Sequence, residues 1–174
     1  MNVLSAFKPI RAFALDVDGV LTDGTVLVTE EGDMLRRMHI RDGYALQLAI
    51  NKGYHVIVIS GSFSAGVKIR LERLGVTDVH MQVKNKSEIL QRFIKSNGLS
   101  PEEVLYMGDD VPDMEVMQLA GLPCCPADAV PEIVQLARYI SPLPGGTGCV
   151  RDVIEKTMKL QGNWTNDQSV PSTL

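Results

Sequence analysis

Short apolar runs recur at residues 13–15, 56–59, 79–81, 104–107 and 123–125, with a weaker one at 139–140. Stretches of helical periodicity separate them. Uninterrupted apolar runs of this length mark strands buried on both faces, and their alternation with helices predicts a parallel sheet covered on both sides. The helices carry their own punctuation. Asp42 is placed to cap a helix ending near Gly53, and Ser64 to open one that stops at Gly75. Ser87 is placed to open a third, which carries Ile89, Leu90, Phe93 and Ile94 before Gly98. Ser100-Pro101-Glu102-Glu103 reads as a capping box leading into the run at 104. The rhythm breaks once. Residues 25–29 and 34–40 read as two strands joined by a Glu30-Glu31-Gly32 turn, a hairpin projecting beyond the carboxyl end of the first strand, where it can shield or bridge a site. The expected fold class is α/β, a Rossmann-like doubly wound parallel sheet with a projecting β-hairpin. Residues 1–162 form one domain and the polar residues 163–174 a mobile tail.

Composition narrows the function. With 45% hydrophobic but only 5% aromatic residues, 174 residues can bury one aliphatic core and leave little for a second domain. A net charge of −4 supplies no field for nucleic acid or an anionic membrane, so a phosphorylated ligand needs local cations or a metal. No stretch reads as a secretory leader or a membrane span, and the chain is expected in the cytoplasm. The three cysteines, Cys124, Cys125 and Cys149, have neither disulfide nor zinc-ligand spacing and are expected reduced and buried.

In an open parallel sheet, ligands bind beyond the carboxyl ends of the strands. There the chain places Asp16-Val17-Asp18-Gly19, then Ser60-Gly61-Ser62, then Gly108-Asp109-Asp110-Val111-Pro112-Asp113. On a regular strand Asp16 and Asp18 would face opposite ways, but Gly19 lets the chain turn and re-aim the second carboxylate. Asp16 brought to roughly 4 Å from Asp109 would be repelled by about 4 kcal/mol at an effective dielectric near 20, and a divalent cation reverses that sign. Oxygen ligands favour Mg²⁺, and no His or Cys cluster supports zinc. Lys86, beside a helix N-terminus, suits a phosphate, with Lys84 as its rival. Ser60 lacks the surroundings of a serine-hydrolase nucleophile and is better read as a hydroxyl donor to phosphate oxygen. His55 is read as structural.

Taken together, Asp16-Val17-Asp18-Gly19, Ser60, Lys86 and the Gly108–Asp113 segment resemble, in order and spacing, the four signatures of the haloacid dehalogenase superfamily of phosphohydrolases. The resemblance extends over residues 11–161. Asp16-Val17-Asp18-Gly19-Val20-Leu21-Thr22-Asp23-Gly24, Arg41-Asp42-Gly43-Tyr44 and Gly145-Gly146-Thr147-Gly148-Cys149-Val150-Arg151 are similar to the small 3-deoxy-D-manno-octulosonate 8-phosphate phosphatases, which have no cap domain and act in lipopolysaccharide sugar synthesis.

The resemblance implies that Asp16 attacks phosphorus to form an aspartyl-phosphate, and that Asp18 protonates the leaving alkoxide and later deprotonates water. It implies that Asp16, the Asp18 main-chain carbonyl and Asp109 hold Mg²⁺. Ser60 and Lys86 then bind the phosphoryl oxygens and Gly61 is a substrate-binding residue, while Asp110 and Asp113 orient Lys86, metal-bound water or the loop. Arg70 is implied as the reader of the substrate carboxylate, and a homotetramer as the assembly, with each hairpin bordering a neighbour's site. Arg41 and Arg151 serve either substrate or subunit pairing. Ser62 and Thr147 depart from residues frequent in the group, which keeps a second substrate class open: nine-carbon keto-sugar acid 9-phosphates of the KDN or N-acetylneuraminate type. A non-catalytic oligomerisation module is the alternative from another class.

Overall fold

The computed structural model describes residues 3–165, 167 and 169–171. Among them six strands form one parallel sheet: β1 (Ala12–Leu15), β4 (His55–Ile59), β5 (Asp78–His80), β6 (Val104–Met107), β7 (Leu122–Cys125) and β8 (Tyr139–Ile140), in the order β5-β4-β1-β6-β7-β8. A separate antiparallel pair, β2 (Leu27–Val28) and β3 (Met34–Leu35), makes the hairpin. This is the α/β architecture that the alternating apolar runs predict.

The two-residue period of the strands splits the core into two layers. Phe13 and Leu15, Val56 and Val58, and Leu105 and Met107 face one side. Ala12 and Ala14, Ile57 and Ile59, and Val104 and Tyr106 face the other. Helices α1 (Ile40–Asn51), α2 (Ala65–Arg73) and α6 (Cys149–Leu160) cover the first layer through Leu46, Leu71, Val153 and Ile154. Helices α3 (Lys86–Ser96), α4 (Met114–Met117) and α5 (Pro131–Leu136) cover the second through Leu90, Phe93, Val116 and Ile133. Each of those side chains, buried to within a few per cent, contributes about 1.5–3 kcal/mol to holding its helix on the sheet.

Several boundaries differ from the sequence expectation. Ser64 does cap α2, accepting from the Val67 N–H at 3.3 Å. Asp42 does not cap α1, which begins at Ile40. It lies in the first turn and accepts from the Arg151 N–H at 2.7 Å. The residue preceding α6 is Gly148, which has no side chain to supply, so Asp42 caps α6 across the fold instead. Ser87 does not open α3: Asn85 caps it, accepting from Glu88 N–H at 3.0 Å, and Lys86 becomes the first helical residue. The hairpin pairs only Leu27 with Leu35 and Val28 with Met34, plus one bridge between Thr22 and Met38. Among the described residues no further strand pairs with it.

The expected mobile tail falls partly outside the described residues, at 166, 168 and 172–174. Of those described, Trp164 packs edge-on against Tyr44, and the Asp167 carbonyl accepts from the Tyr44 hydroxyl at 3.1 Å.

Candidate active site

The chain doubles back at β1. From β1 it runs outward through β4 to β5, then crosses to β6 on the other side, which makes the β1–β6 edge the switch point where open α/β sheets bind ligands. The Asp16 N–H donates to the Met107 carbonyl at 3.1 Å, so the loops after the two strands leave the sheet side by side. Beyond β1 the chain makes one tight turn over Val17–Leu21, closed by Thr22 N–H to Val17 carbonyl at 3.0 Å. Asp18 is extended within it, and Gly19 is left-handed at φ 83°. Only glycine fits there, because a Cβ would also overlap the Asp109 carboxylate. On the opposite side of the turn, Gly146 N–H donates to the Val20 carbonyl at 2.9 Å, and a Cβ on Gly145 would strike the Gly19 carbonyl. The late glycine loop thus buttresses the first aspartate loop.

Asp16, Asp18, Ser60, Gly61, Ser62, Lys86, Asp109, Asp110 and Asp113 all line one cavity of about 280 Å³. Lys86 is buried, with Nζ 3.0 Å from Asp16 Oδ1 and 2.8 Å from Asp113 Oδ1. Burial alone would push its pKa down, but the charges of Asp16 and Asp113 outweigh that and hold it above the ordinary lysine value. Lys84, the rival, is exposed and faces a separate groove. Asp113 is spoken for: besides Lys86, it accepts from the Tyr106 hydroxyl at 2.8 Å and the Asp109 N–H at 3.2 Å. Asp16 Oδ1 also accepts from the Val17 N–H at 2.7 Å. Asp110 caps the short turn at Val111–Asp113 through the Val111 N–H. Ser60 and Ser62 hydroxyls lie 3.1 Å apart.

Asp109 is the exception, since its buried Oδ1 has no hydrogen-bond partner. Carboxylate oxygens of Asp16, Asp109 and Asp113 lie within 4.8 Å of one another. Burial foremost, then the charge of Asp113, pushes both Asp16 and Asp109 up to about 7. An unpartnered buried acceptor beside a second carboxylate fits a hard divalent cation held by oxygen. Asp113, already satisfied by three donors, is the orienting member of the trio.

Two placements were not legible in the sequence. Arg70 does not line this cavity; it lines a neighbouring groove of about 980 Å³ with Arg36, Phe63 and Met38. Arg36, unremarked in the sequence, lines that groove and reaches two residues of the cavity. Its Nε donates to Asp18 Oδ1 at 2.7 Å, and one terminal nitrogen donates to Asp18 Oδ2 at 3.2 Å and to Ser62 Oγ at 3.3 Å. Ser62 Oγ itself donates to Asp18 Oδ2 at 2.6 Å. Burial raises the Asp18 pKa, but the hydrogen bonds from Arg36 and Ser62 outweigh it and hold the carboxyl below its ordinary range. The available signal was the pleat: adjacent Arg36 and Arg37 on extended chain must point opposite ways, and Arg37 is the one in solvent.

The family model for haloacid dehalogenase-like hydrolases matches residues 39–121. The 3-deoxy-D-manno-octulosonate 8-phosphate phosphatase KdsC of Escherichia coli K12 is 34% identical over 161 residues, covering 92% of this chain and 86% of that one. The chain belongs to the KdsC family. Among solved structures, the Yersinia pestis KdsC-type phosphatase superposes with a TM-score of 0.90 at 31% identity, over 92% of this chain and 87% of that one. The phosphatase from Moraxella catarrhalis, solved in complex with magnesium, phosphate and KDO, gives 0.89 at 31% identity, over 92% of both chains. The chain is thus a hydrolase of the haloacid dehalogenase type, and among the described residues its core sheet carries the short hairpin and no cap domain.

Proposed function

We propose that the chain hydrolyses 3-deoxy-D-manno-octulosonate 8-phosphate to the free sugar acid and inorganic phosphate. Asp16 attacks phosphorus and the leaving alkoxide departs with a proton from Asp18. In the second half, Asp18 takes a proton from the water that cleaves the aspartyl-phosphate. Ser60, the Gly61 backbone and Lys86 bind the phosphoryl oxygens, and Asp113 and Asp110 keep Lys86 and the loop in place. Mg²⁺ would be held by Asp16, the Asp18 carbonyl and Asp109, and would supply positive charge against the transferring phosphoryl group. Arg70 reads the substrate carboxylate from the adjoining groove. The observation that carries this reading is the buried carboxylate of Asp109, with one oxygen partnerless and an oxygen within 4.8 Å of one on Asp16, together with the Lys86 salt bridge to Asp16.

The assembly we propose is a cytoplasmic homotetramer. Leu27, Val28, Met34 and Leu35 of the hairpin are each more than half exposed, an apolar surface that a neighbouring subunit would cover. No helix among the described residues is long and apolar enough to cross a membrane.

The test is phosphate release from the octulosonate 8-phosphate and from nine-carbon keto-acid 9-phosphates, each with Mg²⁺ and with EDTA, alongside Asp16→Asn. Turnover should need the ion and vanish in the variant. A kcat/KM about tenfold higher on a nine-carbon substrate reassigns the substrate. Absence of ion-dependent release across a sugar-phosphate panel would favour a non-catalytic module.

A further inference from the structure

We infer that Arg36 is the positioning residue for Asp18, which ties placement of the proton-transfer group to the seating of the hairpin. The inference rests on the role proposed above for Asp18. The geometry is specific: a planar guanidinium meets a carboxylate with two parallel donors, at 2.7 and 3.2 Å, and the same terminal nitrogen reaches Ser62 at 3.3 Å. The other terminal nitrogen donates to the Met34 carbonyl at 3.2 Å, which fixes the guanidinium to β3.

The Arg36 side chain is only 5% exposed, although the hairpin that carries it is largely in solvent. Asp18 is 36% exposed and has no hydrogen bond from its own turn; its carboxylate is held by Arg36 on one element and Ser62 on another. An ionised carboxylate that takes the proton from the attacking water must be held within a few tenths of an ångström, and a two-point fork does this where a single hydroxyl leaves rotation free. Arg36 also lines the Arg70 groove while bonding Asp18 and Ser62, which line the cavity, so a displaced hairpin would withdraw it and release Asp18.

The experiment compares Arg36→Ala, Arg36→Lys, Asp18→Asn and the Arg36→Ala/Asp18→Asn double variant, all with saturating Mg²⁺ and the octulosonate 8-phosphate. Arg36→Ala should lower kcat about 100-fold, with KM changed less than about threefold. Arg36→Lys should fall between it and the parent, since a point charge replaces one prong of the fork. The double variant should be no slower than Asp18→Asn alone, because a residue acting through Asp18 has nothing left to act on. Multiplicative losses, a preserved or raised kcat, or a loss confined to KM would each overturn the inference. If the unmodified protein releases no phosphate, the functional proposal fails by itself. A crystal structure of Arg36→Ala then decides the present point: Asp18 should leave the Ser62 hydroxyl, and a carboxylate in the same place would refute positioning by Arg36.

Discussion

Asp109→Asn should make the ion-free protein more stable while destroying its response to Mg²⁺. In the absence of an ion, Asp109 keeps one oxygen buried and unpartnered, a situation that costs about 1–3 kcal/mol. Its neighbour Asp16 offers an oxygen within 4.8 Å, and two ionised carboxylates at that separation repel by about 3 kcal/mol at an effective dielectric of 20, an upper figure because Lys86 offsets part of it. An amide of the same shape removes the charge and can donate. Taking about 2 kcal/mol as the net gain, and 2–4 °C per kcal/mol for a chain of this length, the ion-free melting temperature should rise by about 4–8 °C. The parent should recover the deficit on binding, since Mg²⁺ at a hundred times its Kd stabilises by about 2.7 kcal/mol. The variant should gain almost nothing. Thermal unfolding by calorimetry or dye binding, in EDTA and in Mg²⁺ at pH 7.5, reads both effects. A variant that melts below the parent in EDTA, or that Mg²⁺ stabilises as much as the parent, would refute the assignment of Asp109 as an ion ligand held at a cost to the fold.

The same two carboxylates set a pH dependence. Asp16 and Asp109 stand at about 7 in the folded chain against an ordinary 3.8, so between about pH 4 and 7 the ion-free folded state keeps protons that the unfolded state has lost. Their contribution therefore favours folding at the acid end and is lost as pH rises through 7, while the increment added by Mg²⁺, which needs both groups ionised, grows over the same interval. Melting temperatures from pH 5 to 8 test this, and an Mg²⁺ increment that shrinks toward pH 7 would contradict it. Gln82 is the one described non-glycine residue with positive φ, at 56°, and its N–H ties the loop before α3 to the Ser62 carbonyl at 3.1 Å. Left-handed backbone costs about 1–2 kcal/mol there, less the entropy that glycine loses on folding, so Gln82→Gly should raise the melting temperature by about 1–4 °C and Gln82→Val should lower it. Equal melting temperatures for the two variants would show that the loop carries no strain.

What the amino-acid order decided by itself was local and periodic. Residues 13–15, 56–59 and 104–107 had to be strands of a doubly covered sheet, because every position in them is apolar and the chain offers helices on either side. Asp16 and Ser60 had to fall at strand ends, because each follows such a run directly, and Asp109 because only Gly108 separates it from one. Tertiary structure decided what depends on groups distant in sequence. Asp42 caps a helix that begins more than a hundred residues later, because Gly148 has no side chain with which to do so. Asn85 took the cap expected of Ser87, a choice between two good acceptors that propensity does not resolve and that makes Lys86 the first residue of α3. Arg36 closes on Asp18 only because the hairpin folds back over the first turn, and Arg70, carried by α2, lines the adjoining groove and not the aspartate cavity. A carboxylate or a guanidinium announces its chemistry in the sequence, but its partner is chosen by the path of the chain between them.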